Sequence, residues 1–264
     1  MKITVFTGNQ PRHINLVSEL SEIAETVYTV QECSTIFPGE VQDNYDATDV
    51  MGRYFEKVRS AEEECFGNVS FSKENVRNLS LRKGDLNRCP KEFLKEALDS
   101  DYYVVFGASY IKGWLIDFLI ERKAVNIHMG VSPYYRGSSC NFWAAYDGHP
   151  EMVGATIILL GKGLDSGDIL YHALPKAEEI DPFLLGMKAV KVAQASVVER
   201  IRSGEILRYE GIKQDKGKEI RYTKNAEFDD TVAEDYLLNR LRPHEVRERI
   251  EKRDLSLFDR PYIG

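Results

Sequence analysis

The five residues Ala124-Val125-Asn126-Ile127-His128 indicate, more than any other part of this 264-residue chain, how it folds. Successive side chains of a β-strand point to opposite faces. Asn126 and His128 therefore project the same way, roughly 7 Å apart, while Val125 and Ile127 take the other face. A strand inside a parallel sheet is normally apolar throughout. Two polar groups at its carboxyl end are expected mainly where that end opens into a ligand crevice, so the first hypothesis is catalysis.

Strand and helix patterns alternate on both sides of this stretch. Strand patterns occur at residues 2–6, 26–30, 101–107, 123–128, 153–160 and 169–174. Helical patterns separate them, at residues 14–24, 43–66, 90–98, 111–120, 141–147 and 182–202. Strands that alternate with helices indicate a parallel sheet. The predicted fold class is therefore α/β, with a doubly wound, mostly parallel sheet.

The chain divides near Ser203-Gly204, because glycine commonly ends a helix. We predict a catalytic domain over 1–204 and a C-terminal extension or small subdomain over 205–264. The second part is more polar, with a strand pattern at 220–222 and a helical one at 243–252.

Composition restricts the classes of partner. Hydrophobic residues make up 43% of the chain, charged residues 29%, and the formal net charge is −7. No apolar run approaches a bilayer span, and the sequence enters a strand directly after Met1 without a signal-peptide pattern, so we expect a cytoplasmic protein without a membrane partner. Nucleic-acid binding needs a basic face, which this charge disfavours. The four scattered cysteines predict neither a metal site nor disulfides.

Four blocks of sequence carry a family resemblance. They are Asn126-Ile127-His128, Pro133-Tyr134-Tyr135-Arg136-Gly137, Gly154-Ala155-Thr156-Ile157 and Leu164-Asp165-Ser166-Gly167. In order and spacing they resemble the formyltransferases that use 10-formyltetrahydrofolate, whose members formylate glycinamide ribonucleotide, methionyl-tRNA or nucleotide-linked amino sugars. The resemblance covers about residues 1–185 and is strongest over 101–172. It implies a formyltransferase-like variant of the Rossmann fold.

The resemblance assigns catalysis to Asn126, His128 and Asp165. Attack of an amine on a formyl carbon creates an oxyanion, which preorganised donors stabilise. Protonated His128 and the Asn126 amide can provide those donors. Asp165 can hold His128 in its protonated form and order a water that removes the amine proton. A lone histidine at a strand end is more often a satisfied core group, and the matching blocks are what favour catalysis here.

The same resemblance places the pterin ring of the co-substrate between two loops. The residues concerned are Phe106, Ser109, Tyr110 and Ile111 in one loop and Gly161, Lys162, Gly163 and Leu164 in the other. Backbone groups can form hydrogen bonds with the edge of the pterin ring, while small side chains leave space for the ring. An ordinary strand-to-helix turn remains the alternative for the first loop.

The acceptor is expected to extend toward the first strand-to-helix turn. Asn9, Arg12 and His13 lie where backbone amides and a helix start favour phosphate, although a plain helix cap fits equally well. The glycine spacing is not G-x-G-x-x-G. Trp143 is a candidate apolar wall for the acceptor. Arg136 can bind an anion or clamp its turn onto a carboxylate, and the clamp is favoured.

Two departures from the family affect the choice of acceptor. Met129 and Gly130 replace the usual Pro and Ser after the histidine, which predicts a looser loop. The C-terminal portion has an intermediate length, which points to the amino-sugar branch and so to surface-polysaccharide synthesis, including lipopolysaccharide. The alternatives are methionyl-tRNA, glycinamide ribonucleotide or another amine as acceptor, a folate-binding or hydrolytic relative, and a nucleotide-binding regulatory module. A homodimer is left open.

Overall fold

The computed structural model describes residues 1–264. The strands are β1 (Lys2–Thr7), β2 (Thr26–Cys33), β3 (Val76–Arg82), β4 (Tyr102–Phe106), β5 (Val125–His128), β6 (Tyr135–Gly137), β7 (Ala155–Leu159), β8 (Ile169–Leu174), β9 (Arg221–Thr223) and β10 (Tyr262–Ile263). The α-helices are α1 (Pro11–Ser21), α2 (Asp49–Phe66), α3 (Gly113–Glu121), α4 (Cys140–Tyr146), α5 (Pro182–Arg202), α6 (Asp230–Asn239) and α7 (Pro243–Glu251).

Eight strands form one mostly parallel sheet in the order β10-β8-β7-β5-β4-β1-β2-β3. The run from β3 through β2, β1 and β4 to β5 is parallel. β7 pairs antiparallel with both β5 and β8, and β10 is parallel to β8. The predicted doubly wound fold is confirmed. The chain order reverses between β1 and β4, and the carboxyl ends of strands at such a point form a ligand crevice.

Helices cover both faces of the sheet, so its central strands are apolar on both sides. On one face, Ile3 and Val5 pack with Leu16 of α1 and Val197 of α5. On the other face, Phe6 packs in a separate cluster that includes residues of α3. Fixing the strands from both sides holds their carboxyl ends in place, which is where a site needs rigidity.

A third cluster lies around the turn after β5. Tyr54 of α2 and Trp143 of α4 pack there with Tyr236 of α6 and Val246 of α7. β10 adds a strand to the sheet edge at β8. Residues after 204 thus pack against the rest of the chain, and the boundary at 204 stays a prediction.

Several local elements differ from the sequence-based expectation. The helix predicted at 90–98 is replaced by short 3₁₀ turns at Leu86–Arg88 and Lys91–Leu94. α1 begins at Pro11, where proline is tolerated because the first N–H groups of a helix have no partner. β3 and α6 were not predicted. No helix combines the length and apolar character needed to cross a bilayer.

Candidate active site

Three polar side chains meet at the carboxyl end of β5. Asp165 Oδ2 lies 3.4 Å from His128 Nδ1, and Asn126 Nδ2 donates a hydrogen bond of 3.2 Å to Asp165 Oδ1. The side chain of His128 is 8% exposed and that of Asp165 17%, so water screens the pair only in part. Val125 and Ile127 are buried in the core on the opposite face. Strand alternation therefore places Asn126 and His128 together.

Asp165 reaches this point from the loop between β7 and β8. Its φ of +44° lies in the left-handed region, which is uncommon outside glycine but tolerated by Asp. Gly167 is required two residues later, because a Cβ atom there would fall 1.6 Å from the carbonyl oxygen of Leu159. The close approach of this loop to the end of β7 brings the Asp165 carboxylate to β5.

The turn after His128 is tightly filled. A Cβ atom on Gly130 would lie 2.4 Å from Cys140 Cβ and 2.9 Å from His128 Nε2. The structure thus differs from the looser loop that the sequence predicted, because Cys140 occupies the space. Cys140 Sγ lies 3.7 Å from His128 Nε2. Burial, reinforced by the charge of Asp165, raises the pKa of the Cys140 thiol to about 12, which disfavours the nucleophilic thiolate.

A cavity of about 480 Å³ contains the three polar side chains. The residues predicted for the co-substrate that line it are Phe106, Ser109, Tyr110, Ile111, Gly161, Gly163 and Leu164. Lys162 does not line it, because its ammonium group turns outward to Asp117 at 2.8 Å. The Tyr110 hydroxyl donates to the carbonyl oxygen of Lys162 and joins the two loops at the rim.

Glu32, which sequence reasoning missed, anchors the first of these loops. Its buried carboxylate accepts hydrogen bonds from Ser109 N at 2.7 Å and Ser109 Oγ at 2.6 Å. It also accepts one of 2.7 Å from Gly84 N. The polar groups of Ser109 are therefore engaged by Glu32. Glu32 is the only charged residue of β2, and no sequence spacing links it to residue 109.

The predicted phosphate contacts have protein partners of their own. Arg12 Nη1 lies 2.7 Å from Glu62 Oε1, and the Glu62 side chain is only 4% exposed. His13 is buried, and its Nδ1 accepts from Gln10 N at 3.1 Å, so the neutral ring carries its proton on Nε2. Burial, followed by the charge of Arg12, holds the pKa of His13 well below its usual value. Contact of either residue with an acceptor stays a prediction.

A second cavity, of about 840 Å³, adjoins the first. The residues that line both cavities are Arg12, His13, Val58, Gly107 and Ser109. This shared wall lies at the carboxyl ends of β1 and β4, where the chain order reverses. His128 lines the first cavity only, and the second cavity adjoins it through this shared wall.

The remaining predicted residues lie outside both cavities. Asn9 exchanges two hydrogen bonds with the backbone of Ser34 and fastens the end of β2. Trp143 is 2% exposed, and the Arg221 guanidinium lies 3.8 Å from its ring centroid. Its neighbour Phe142 lines the first cavity instead. Arg136 forms an ion pair of 2.8 Å with Glu219, which is the predicted clamp.

Comparison with known proteins supports the resemblance drawn from the motifs. No family model matches the chain. It is 36% identical over 121 residues to a methionyl-tRNA formyltransferase of Caldanaerobacter subterraneus, a match of 43% of this chain and 38% of the relative. The chain thus matches less than two fifths of that relative's length.

Solved structures show the same fold. A formyltransferase from Anoxybacillus kamchatkensis, solved with UDP-4,6-dideoxy-4-formamido-L-AltNAc and tetrahydrofolate, matches with a TM-score of 0.50 and 15% identity, over 95% of this chain and all of that one. A phosphoribosylglycinamide formyltransferase from Anaplasma phagocytophilum matches with a TM-score of 0.52 and 15% identity, over 84% and 97%. The recognition of a formyltransferase relative is confirmed.

Proposed function

We propose that this chain transfers the formyl group of 10-formyltetrahydrofolate to the primary amine of a small acceptor. The observation that carries the proposal is the meeting of Asn126, His128 and Asp165 in one cavity, with Asp165 contacting both of the other side chains. Similarity to a methionyl-tRNA formyltransferase over 121 residues supports the reaction type.

Each of the three side chains has a separate role in the proposed acyl transfer. The acceptor amine attacks the formyl carbon, and the electron pair of the carbonyl bond moves to oxygen. Asn126 has two amide N–H groups, of which one donates to Asp165, so the other remains for the oxyanion. Protonated His128 supplies a second donor, stabilised by the Asp165 carboxylate. Asp165 orders the water that takes the amine proton and passes a proton to N10 of the folate. The bond between the formyl carbon and N10 then breaks, the carbonyl bond re-forms, and tetrahydrofolate leaves.

The first cavity suits the pterin ring. Its inner wall is apolar, with side chains that include Val105, Ile111 and Leu160. Gly107 and Gly161 leave the two loops open to a flat ring, whose polar edge can meet backbone N–H and C=O groups. These loops would hold the folate with its formyl nitrogen toward His128.

The acceptor that we propose is a nucleotide-linked amino sugar. The second cavity is large enough for an extended molecule. Lys83 in its wall offers a cation to a diphosphate, and Arg59, which is ion-paired with Glu40, lies in the same wall. The Anoxybacillus neighbour, which was solved with a nucleotide-linked formamido sugar, matches 95% of the length of the present chain.

A second candidate is an amine without phosphate. The carboxylates that line the second cavity outnumber its cations and are Glu32, Asp46, Glu62, Asp229 and Asp230. Carboxylates disfavour a diphosphate and favour a cationic or neutral acceptor. The net charge of −7 likewise disfavours tRNA.

A panel of amines distinguishes these acceptors. The chain would be given 10-formyltetrahydrofolate together with UDP-4-amino-4,6-dideoxy-L-AltNAc, the same amino sugar without its nucleotide, glycinamide ribonucleotide or methionyl-tRNA. We expect release of tetrahydrofolate and formation of an N-formyl product with the nucleotide sugar, and no product with the His128→Ala variant. Equal rates with the free amino sugar would favour the second candidate. Folate binding without transfer to any amine would contradict the proposed function.

A further inference from the structure

The C-terminal residues include a short segment that runs beside the Asp165 loop. Ile212 and Ile169 exchange two backbone hydrogen bonds, of 2.7 and 2.8 Å, in an antiparallel bridge. One residue earlier, a Cβ atom on Gly211 would lie 2.5 Å from Asp168 Cβ. Glycine at this position therefore allows the segment to approach the loop closely. The approach places Gln214 next to the turn that carries Asp165.

Gln214 binds this turn with a single amide group. Its Nε2 donates to the carbonyl oxygens of Asp165 and Gly167, both at 2.8 Å. Both N–H groups of the amide are thus used, one on each side of Ser166. The pair of bonds fixes the peptide planes after Asp165 and after Gly167, in a turn where the Asp165 φ of +44° is disfavoured for most side chains.

We propose that Gln214 is a positioning residue that holds the Asp165 carboxylate against Asn126 and His128. The two bonds hold the Asp165–Ser166 and Gly167–Asp168 peptide planes, which restrains the backbone directly after Asp165 and with it the direction of the Asp165 side chain. Without the two bonds the turn can relax toward ordinary backbone angles, and the carboxylate moves away from His128. Displacements of about 1 Å at reacting groups cost up to about 10²-fold in rate. The C-terminal residues therefore take part in the reaction through Gln214. This inference rests on the proposed function.

The test replaces the amide without removing its bulk. Gln214→Met keeps the length and has no donor, whereas Gln214→Glu places an acceptor against two carbonyl oxygens at neutral pH. Both would be assayed for tetrahydrofolate release from 10-formyltetrahydrofolate, with water or UDP-4-amino-4,6-dideoxy-L-AltNAc as the acceptor. We expect kcat to fall about tenfold in Gln214→Met and further in Gln214→Glu, with the folate KM within about twofold.

Asn75 provides a matched control, because it lines neither cavity and is far from Asp165 in sequence. Its half-buried amide also donates to two carbonyl oxygens, those of Ser21 at 2.9 Å and Ala24 at 3.1 Å. Asn75→Leu should lower the melting temperature as much as Gln214→Met does and leave kcat unchanged. Equal kcat in Gln214→Met and the wild type would overturn the inference, as would an equal loss of kcat in Asn75→Leu.

Hydrogen exchange separates failure of this inference from failure of the proposed function. Amides of the loop 161–168 should exchange at least about fivefold faster in Gln214→Met than in the wild type, and those of β5 should be unchanged. This measurement needs no substrate. If exchange is faster but the chain transfers no formyl group, the proposed function is refuted and the positioning of Asp165 by Gln214 still holds. Unchanged exchange would refute the positioning by Gln214 itself.

Discussion

Replacing Asp165 by Asn tests the electrostatic core of the site. The substitution keeps the shape of the side chain and removes one negative charge 3.4 Å from His128 Nδ1. With an effective dielectric constant of about 20, Coulomb's law gives about 5 kcal/mol for unit charges at that distance. The new amide dipole and the partial exposure of Asp165 recover part of this energy. We expect about 3 to 4 kcal/mol of lost transition-state stabilisation, which corresponds to a fall in kcat of about 10²- to 10³-fold.

The assay for Asp165→Asn is tetrahydrofolate release under saturating folate and acceptor, paired with equilibrium binding of tetrahydrofolate. Binding should change by less than about threefold, because the lost interaction acts on charge that develops during the reaction. Asn126→Ala offers a comparison, since it removes an oxyanion donor and leaves the His128–Asp165 pair intact. Turnover of Asp165→Asn within about fivefold of the wild type would refute the role of this carboxylate.

Three further outcomes follow from the geometry. Glu32→Gln removes an acceptor from the loop at Ser109 and should raise the folate KM about tenfold with little effect on kcat in steady-state assays; an unchanged KM would exclude Glu32 as the anchor of that loop. Gly130→Ser should lower the free energy of unfolding by about 1 to 3 kcal/mol in urea titrations because of the contact with Cys140, and adding Cys140→Gly should restore part of it; additive losses would contradict this. His13 stays neutral when folded and takes a proton when unfolded below about pH 6.5, so stability falls as pH drops through that value. In His13→Gln the slope should be smaller by up to about 1.4 kcal/mol per pH unit, and equal slopes between pH 7 and 5 would disprove it.

The central sheet and the shared face of Asn126 and His128 were predictable because local patterns encode them, whereas the place of Asp165 beside them was expected only from the family resemblance. Alternation along β5 separates Val125 and Ile127 from the two polar residues, and the apolar periodicity of α5 predicts its bounds at Pro182 and Arg202. Edge elements have weaker patterns. β3 was missed because its exposed position allows polar residues such as Arg77 and Asn78. Only Val76, Leu79 and Leu81 of this strand pack against the core, and none of them is fully buried, so the apolar pattern is weak.

The supporting contacts were not predictable for a different reason. Glu32 and Gln214 bind backbone groups that lie 77 and 49 residues away in sequence, respectively. Nearly every residue type has the same backbone donor and acceptor, so the sequence does not show which residue forms such a contact. Trp143 was misjudged as a wall because its position on α4 depends on the helix phase, which places Phe142 toward the cavity and Trp143 in the core.

The wall common to both cavities bears on the order of events in turnover. Arg12, His13 and Gly107 line both cavities, and burial raises the pKa of the Cys140 thiol, which disfavours a formyl-thiolate intermediate. For the proposed transfer we therefore expect a ternary complex, in which neither product leaves before both substrates have entered. When 10-formyltetrahydrofolate is scarce, an acceptor bound in the second cavity, as proposed, would not block entry of the folate into the first. If each substrate has its own cavity, as proposed, we expect the rate of turnover to follow the less abundant substrate and neither substrate to inhibit binding of the other at high concentration.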